Sequence, residues 1–479
     1  MSTTPIITDL EPEILLRVLV FCDVYTILSV SCVNRELRSI ALAKQLWISA
    51  INHLRNRALM ETWPSYDPTH YTAEELIEQV RRLVVGPRTW MSPSPSEPIS
   101  AQVVAEFSLP SEIQCPNTEA GCRVQLINGG RHILLAHLKA VELWDLAAKQ
   151  CLWNRPHYVD SLAVSREVEG NTVSLAMLSD NARTLEVLRI DLTAGNINQN
   201  LVVRLETSGH LSANALLGDL LAVHLTGGIL LVNWRSEMYV LLGGLEQLDP
   251  LPPRVSLVAG HIVLLRAIRS LPAAFGNEGS SSWPNGVWLF LYSTVDLASD
   301  WRPVGDYSSA SGCVSIRDLT PTVAERQQLD NQPLSLSLNG RLTLSVHENP
   351  VRPGAYRINV YAAQRRPRGA CRGPHPAPGR GPCAALFRYN FVASASDDLP
   401  SSFIGFARRA LFMTLDVIAY SEYSVQSWTN AITSVVRTPN ATNGQLVAAP
   451  NDCLGRDLSP YNCIVTTLTP SSVVLSYYL

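Results

Sequence analysis

Two patterns of apolar positions divide this chain. Over residues 10–50 apolar side chains recur at helical spacing, whereas from about residue 100 they form short alternating runs separated by Gly, Asn, Asp and Pro. The first pattern predicts helices and the second predicts β-strands. We therefore expect a helical domain over 1–60, a connecting segment with one short helix and a Pro/Ser-rich linker over 61–99, and an all-β domain over 100–479.

The first predicted helix begins at Pro12, because proline suits the first helical position, where its missing N–H costs nothing. From Pro12 to Cys22 the only charged residues are Glu13 and Arg17, so apolar side chains cover most of the helix. Such a helix must be buried on more than one side. A domain of about 40–50 residues encloses little surface. The apolar surface that this small domain cannot bury must therefore pack against another part of this chain or against an external partner.

Several polar residues are placed to cap the predicted helices. Asp23 and Asn34 precede the second and third helices, and their side-chain oxygens can accept backbone N–H groups. In the connecting segment, Thr72 and Glu75 have the spacing of a capping box for a helix through Val85. The third helix is expected to turn the following residues inward, with Trp47 after them: Leu37, Ile40, Ala41 and Leu46.

The helical segment also matches a known pattern in register and without a gap. The matching residues are Leu10, Glu13, Ile14, Leu15, Val18, Phe21, Asp23, Ile27, Leu28, Val33, Arg38, Leu46 and Trp47. In this arrangement residues 10–47 resemble an F-box. Departures occur at Glu11, where the family usually has proline, at Cys22, where it has leucine, and at Leu37, where a bulky or aromatic residue is usual.

The F-box resemblance implies a surface that binds the Skp adaptor of a cullin-based ubiquitin ligase. It implies that eight residues form the adaptor contacts or their immediate support. These residues are Leu10, Pro12, Ile14, Leu15, Val18, Leu28, Val33 and Trp47.

The all-β region contains a repeat. Trp144 and Trp234 end two similar hairpin patterns, and Asp191 ends a third run midway between them, a period of about 45 residues that is typical of a propeller blade. Seven hairpin-like ends predict seven blades, with six or eight blades, or a pair of two-sheet sandwiches, as alternatives. Residues 102–109 can supply the outer strand of the last blade and close the ring.

The expected fold class is therefore α + all-β multidomain, with a small N-terminal helical F-box followed by a seven-bladed β-propeller. The dipeptide Trp144-Asp145 resembles the signature of WD-type repeats. The combination resembles F-box proteins with a degenerate propeller, a kind abundant in mushroom-forming fungi.

Composition and charge exclude several classes of function. Charged residues make up 16% of the chain and the net charge is −3, so a general attraction to nucleic acid is not expected. The longest apolar stretch, 216–234, is interrupted by Asp219 and His224 and predicts buried strands, not a membrane span. The first ten residues lack the pattern of a secretory signal. We therefore expect a cytoplasmic or nuclear protein with reduced cysteines.

The motifs of common enzymes are missing or broken. None of the three lysines follows a glycine, so a phosphate-binding Gly-Lys loop is excluded. His347-Glu348 lacks the second histidine of a metalloprotease helix, and no Gly-x-Ser-x-Gly occurs. Residues 379–384 fit a dinucleotide fingerprint only formally, because Pro382 interrupts it. We expect no catalysis, cofactor or metal.

Two compositional features have more than one interpretation. Residues 364–383 are rich in Arg, Gly and Pro, and form either a loop between blades, translated non-coding sequence, or a loop that recognises acidic or phosphorylated segments. Only Lys44, Lys139 and Lys149 are lysines among 38 basic residues. Few lysines would limit self-modification by a ubiquitin ligase, and arginine-favouring codon usage gives the same count.

The sequence thus predicts the substrate-recognition subunit of an SCF-type ubiquitin ligase. The helical module would hold the Skp adaptor and the propeller would bind a target protein whose identity the sequence does not reveal. The alternatives are an interaction scaffold that never drives ubiquitin transfer, or a propeller-fold hydrolase.

Overall fold

The computed structural model describes residues 10–85, 103–110, 123–137, 139–157, 159–165, 171–179, 183–205, 212–245, 253–268, 286–307, 313–316, 318–327, 341–363, 385–392, 409–413, 417–428, 432–437, 444–448, 455–458, 464–469 and 472–478. The segment 364–383 lies outside these residues. Within the described part, the helices are α1 (Pro12–Leu19), α2 (Val24–Ser31), α3 (Arg35–Ala41), α4 (Lys44–Asn56) and α5 (Ala73–Val85).

The strands follow the helices in the chain. They are β1 (Val103–Pro110), β2 (Arg123–Ile127), β3 (His132–Ala136), β4 (Val141–Asp145), β5 (Gln150–Arg155), β6 (Ser161–Val164), β7 (Thr172–Ser179), β8 (Thr184–Asp191), β9 (Ile197–Arg204), β10 (Ser212–Leu217), β11 (Leu220–Leu225), β12 (Gly228–Asn233), β13 (Met238–Gly243), β14 (Arg254–Val258), β15 (His261–Ile268), β16 (Gly286–Ser293), β17 (Arg302–Pro303), β18 (Val314–Ser315), β19 (Val323–Gln327), β20 (Arg341–Glu348), β21 (Ala355–Ala363), β22 (Ala385–Val392), β23 (Arg409–Met413), β24 (Val417–Trp428), β25 (Ile432–Arg437), β26 (Gly444–Ala448), β27 (Gly455–Leu458), β28 (Val465–Leu468) and β29 (Ser472–Tyr478).

The described strands form six sheets, one after another along the chain. Sheet 1 contains β2 to β5, sheet 2 contains β6 to β9, and sheet 3 contains β10 to β13 with the short β17 and β18. Sheet 4 contains β14, β15, β16 and β19; sheet 5 contains β20 to β26; and sheet 6 contains β27, β28, β29 and β1. All pairs are antiparallel except β13 with β18, which is parallel.

In the described residues, neighbouring sheets pack against one another from sheet 6 through sheet 1 to sheet 5. One cluster of buried apolar side chains joins sheets 1 and 2, for example Leu143 with Leu175, and others join sheets 2 and 3, sheets 3 and 4, and sheets 6 and 1. The first strands of neighbouring sheets also contact each other, as β6 does with β10, β10 with β14, and β14 with β20. Radial packing of small antiparallel sheets is the β-propeller architecture, so the predicted succession of a helical region and an all-β propeller is confirmed.

Sheet 5 accounts for the difference between the seven predicted blades and the six sheets in the described residues. It holds seven strands, and two of the predicted hairpins fall within it, β20 with β21 and β23 with β24. The strand β24 is 12 residues long and pairs with β23, β25 and β26. The predicted count of seven blades therefore treats the two hairpins of sheet 5 as separate blades.

Each copy of the sequence repeat ends in a turn where an Asp or Asn side chain accepts backbone N–H groups. After β4, Asp145 Oδ1 accepts the backbone N–H groups of Ala147 and Ala148, at 2.8 and 3.0 Å. Asp191 accepts two N–H groups in the same way after β8, and Asn233 accepts one after β12. Asp and Asn stabilise turns by mimicking a backbone acceptor. These hydrogen bonds also lower the pKa of the Asp191 carboxyl.

The N-terminal strand completes the last sheet, as predicted. Strand β1 pairs antiparallel with β29, with Phe107 opposite Leu475, and so forms the outer strand of sheet 6. The expected strand at residues 102–109 is observed at Val103–Pro110. An N-terminal strand that completes a C-terminal sheet removes an exposed edge.

The helical domain has one apolar core, and its caps were predicted correctly. Asp23 accepts the N–H of Thr26 at 2.7 Å, and Asn34 accepts the N–H of Leu37 at 2.8 Å. The predicted capping box forms between Thr72 and Glu75, and α5 contributes Leu76, Val80 and Leu83 to the same core as the other helices.

One helix boundary differs from the sequence prediction. The third helix ends at Ala41, and Leu46 with Trp47 lie in the separate helix α4. The break is stabilised because the Trp47 indole donates to the Ala41 carbonyl at 2.9 Å, across the turn between the helices. The inward placement of Leu46 is correct, since it is fully buried.

The helical domain is fixed to the propeller at two places. The hairpin tip between β20 and β21 inserts Val351 into the helical core, and the Val351 carbonyl accepts the N–H of Tyr25 at 3.0 Å. Glu348, at the start of this tip, pairs with Arg57 and also accepts the N–H of Gly354 at 3.0 Å. The Tyr25 N–H lies in the first turn of α2, where such groups have no partner within the helix.

The second junction involves sheets 1 and 6. The N–H of Thr62 donates to the Gly129 carbonyl at 2.8 Å, and Trp63 packs edge-on against Tyr477 of β29. Gly130 has a φ of +83°, and a Cβ there would lie 2.6 Å from the Thr62 carbonyl oxygen. The close approach of the two backbones therefore requires glycine at this position.

Candidate partner-docking surface

Helix α1 divides its apolar side chains between the core and the surface. Leu15 and Leu19 are buried, and each is only 6% exposed to solvent. Ile14 and Val18, by contrast, are 47% and 52% exposed. Ile14 and Val18 are four residues apart and so lie on the same face of the helix. The apolar excess anticipated from the sequence is therefore present on the surface of the described molecule.

Further large apolar side chains are exposed after α1. Phe21, in the turn after the helix, is 91% exposed, and Tyr25 and Leu28 are exposed on α2. We call the following set the apolar strip: Leu10, Ile14, Val18, Phe21, Tyr25 and Leu28. Val33, after α2, and Leu42, after α3, are also exposed.

The eight residues expected to form or support an adaptor site fall into two groups. Six are exposed: Leu10, Pro12, Ile14, Val18, Leu28 and Val33. Leu15 and Trp47 are buried in the helical core, where they can support the surface but cannot contact a partner directly. Pro12 occupies the start of α1, as the sequence predicts.

Sequence reasoning did not assign a contact role to three exposed apolar side chains, Phe21, Tyr25 and Leu42. Helical spacing places Ile14 and Val18 on one face of α1, but it does not relate them to Phe21 in the following turn or to Tyr25 on α2. The turn between α1 and α2 interrupts the helical period, so no local pattern in the sequence predicts the exposure of Phe21 and Tyr25.

The strip rests on a rigid base. Val24 and Ile27, on the inner face of α2, are almost fully buried, and Asp23 caps the helix. The tip of the β20–β21 hairpin closes the N-terminal end of α2 through the Val351 carbonyl. A surface whose backbone is already ordered loses little entropy when a partner binds.

Charged groups lie around the strip. Glu11, Glu13 and Arg17 are exposed on α1 beside the apolar face. On α4, desolvation and then the charge of Arg57 lower the pKa of the His53 imidazole, while Asp23 and Glu348 oppose this shift.

No described helix is both long and apolar enough to cross a membrane. The residues of the apolar strip lie just before α1, on α1, in the turn after it and on α2. An exposed apolar patch bordered by polar residues is typical of a protein interaction site.

Comparisons with known proteins give a fold-level likeness alone. No protein-family model matches the sequence, and no curated protein matches it. The structure is similar to the WD40 domain of SCAP from fission yeast, at 10% identity and a TM-score of 0.32, over 78% of this chain and 94% of that chain. It is also similar to a chain of the Kuenenia stuttgartiensis hydrazine synthase, at 9% identity and a TM-score of 0.38, over 76% and 97%.

A chain of the mitotic checkpoint complex aligns at 11% identity with a TM-score of 0.36, over 81% of this chain and 96% of that chain. All three TM-scores are below 0.5. The evidence for the propeller is therefore the packing of this chain's own sheets. The F-box resemblance remains a prediction from residues 10–47.

Proposed function

We propose that this chain is the substrate-recognition subunit of an SCF-type ubiquitin ligase, in which the apolar strip binds the Skp adaptor of a cullin-based complex. The observation that carries the proposal is the concentration of exposed apolar side chains on one small domain. Of the 11 large apolar side chains exposed in the described residues, eight lie between Leu10 and Leu42.

The physical reason to expect a partner is the cost of leaving this surface in water. Burial of apolar surface contributes about 25 cal/mol per Å², and the strip contains six large side chains. Scattered apolar residues such as Val202 and Val295 on the propeller are ordinary. Six exposed large apolar side chains within residues 10–28, with Phe21 at 91% exposed, are not ordinary, and this segment is the one that resembles the F-box.

The proposed role involves no catalysis by this chain. The helical domain would bind the adaptor while the propeller binds a target protein, and the assembly would bring target lysines close to a ubiquitin-loaded enzyme. Holding two reactants together raises their effective concentration without any new chemical group. The two junctions between the domains support this role, because they fix the direction of the helical domain relative to the propeller.

The test is capture of a purified Skp-type adaptor by the full-length protein. The double variant Ile14→Asp with Val18→Asp is expected to weaken capture more than 100-fold, because two carboxylates would be buried in an apolar contact without partners. The matched control is Val202→Asp with Val295→Asp, which places the same charges on exposed propeller positions and should bind normally.

Thermal unfolding of all three proteins shows whether each variant is folded. Since Ile14 and Val18 are exposed, their replacement should leave the melting temperature nearly unchanged. Equal capture by the wild type and the α1 variant would show that the adaptor does not use this face. No capture by the wild type would contradict the proposed function itself.

A further inference from the structure

We propose that the docking surface is composite and that the propeller contributes Arg352, which would bind a carboxylate at the edge of the adaptor's apolar face. This inference rests on the function proposed above. The underlying observation is the position of the Arg352 guanidinium, whose central carbon lies 5.5 Å from the centre of the Tyr25 ring. Tyr25 belongs to the apolar strip, and Arg352 belongs to the hairpin between β20 and β21.

The hairpin tip holds Arg352 in place from both sides. On one side Val351 is buried in the helical core, its carbonyl accepts the Tyr25 N–H, and its own N–H donates to the Asn349 side chain at 3.0 Å. On the other side the N–H of Gly354 donates to Glu348, which also pairs with Arg57. The backbone on both sides of Arg352 is therefore held by hydrogen bonds.

The stacking of Arg352 on Tyr25 extends the strip and adds a charge to it. Guanidinium groups are weakly hydrated, stack on aromatic rings, and match the geometry of a carboxylate. A partner that covers Tyr25 and Leu28 must pass beside Arg352. A carboxylate at that edge would form a charge-assisted contact next to an apolar interface, where water is excluded and such contacts are stronger.

The placement also links two distant parts of the sequence. Residues 10–33 supply the apolar contacts, and residues 349–354 supply the cation, although more than 300 positions separate them in the chain. Isolated helices α1 to α3 would therefore present an incomplete surface. The intact chain is the correct object for the test.

The test is titration of the full-length protein and its variants with a purified Skp-type adaptor. Arg352→Glu is expected to weaken binding at least tenfold, and Arg352→Gln about threefold, because the first change repels the carboxylate and the second removes the attraction. The control Arg302→Glu makes the same change in net charge at an exposed position of β17 and should leave affinity within twofold. Raising the salt concentration should weaken the wild type more than Arg352→Gln.

The outcomes separate this inference from the proposed function. If the α1 variant loses binding while Arg352→Glu and Arg352→Gln both bind within twofold of wild type, the composite surface is wrong and the adaptor site stands. If the wild type does not bind the adaptor, both are wrong. Should Arg352→Glu melt at a lower temperature, Arg352→Gln and its salt dependence decide, because a neutral side chain can keep the stack on Tyr25.

Discussion

The helical domain and the propeller treat apolar surface in opposite ways. Sheets 1 to 4 pack on both faces, so strands such as β3 are buried at every position and neighbouring blades cover each other. The helices have one core and no second layer, so α1 and α2 bury their inner faces and leave the outer ones in water. In the propeller, each blade buries the apolar surface of its neighbours. In the single layer of helices, the outer apolar side chains of α1 and α2 have no neighbouring element in the described residues to bury them.

The largest expected effect comes from the core of the helical domain. Trp47→Ala should lower the free energy of unfolding by about 3–5 kcal/mol, because the ring is buried and its indole bridges α3 and α4. Urea unfolding followed by circular dichroism at 222 nm measures the loss. Val18→Ala is the contrasting variant, since its side chain is exposed, and it should change stability by less than about 0.5 kcal/mol. Equal losses would contradict the exposed position of Val18.

The junction between the two regions provides the next effect. Gly130→Ala should cost about 1–3 kcal/mol more than Gly260→Ala, because a Cβ at Gly130 meets the Thr62 backbone. Both glycines have a positive φ, at +83° and +72°, and nothing lies within 4 Å of the Cβ position at Gly260. The control therefore isolates the steric contact from backbone strain. Equal melting temperatures for the two variants would show that the domains are not held together at Gly130.

A smaller effect is expected at the start of α5. Thr72→Ala removes half of the capping box and should cost about 1 kcal/mol. Ser39→Ala removes a hydroxyl of similar size from the exposed face of α3, where it bonds to a helical carbonyl, and should be nearly neutral. The difference in thermal midpoint between these two variants measures the cap, and a neutral Thr72→Ala would indicate that α5 is held by packing alone.

Much of the fold could be predicted because its signals are local. Asp23, Asn34 and the pair Thr72 with Glu75 act within a few residues of the helices they begin, and each forms the predicted bond. The hairpins followed from turn residues and alternation, and Asp145 shows the chemistry behind the repeat. The end of α3 could not be located in this way, because an uninterrupted apolar pattern runs through the break before Lys44.

The contacts between the regions could not be predicted from local patterns. Glu348 and Arg57 lie 291 positions apart, and nothing in either segment indicates its partner. Trp63 was expected in a connecting segment, yet it packs against Tyr477 near the other end of the chain. The apolar face of α1 was predicted from composition along the helix, but the exposure of Phe21 and Tyr25 depends on the turn after α1 and on which side of α2 is buried.

The measurement that tests the central claim most directly is amide hydrogen exchange of the full-length protein with and without a Skp-type adaptor. If the apolar strip is the docking surface, exchange should slow in residues 10–31 and stay unchanged in sheets 2 to 4. Slower exchange in the blades with no change in α1 and α2 would contradict the account, because the partner would then bind the propeller and leave the exposed helices uncovered.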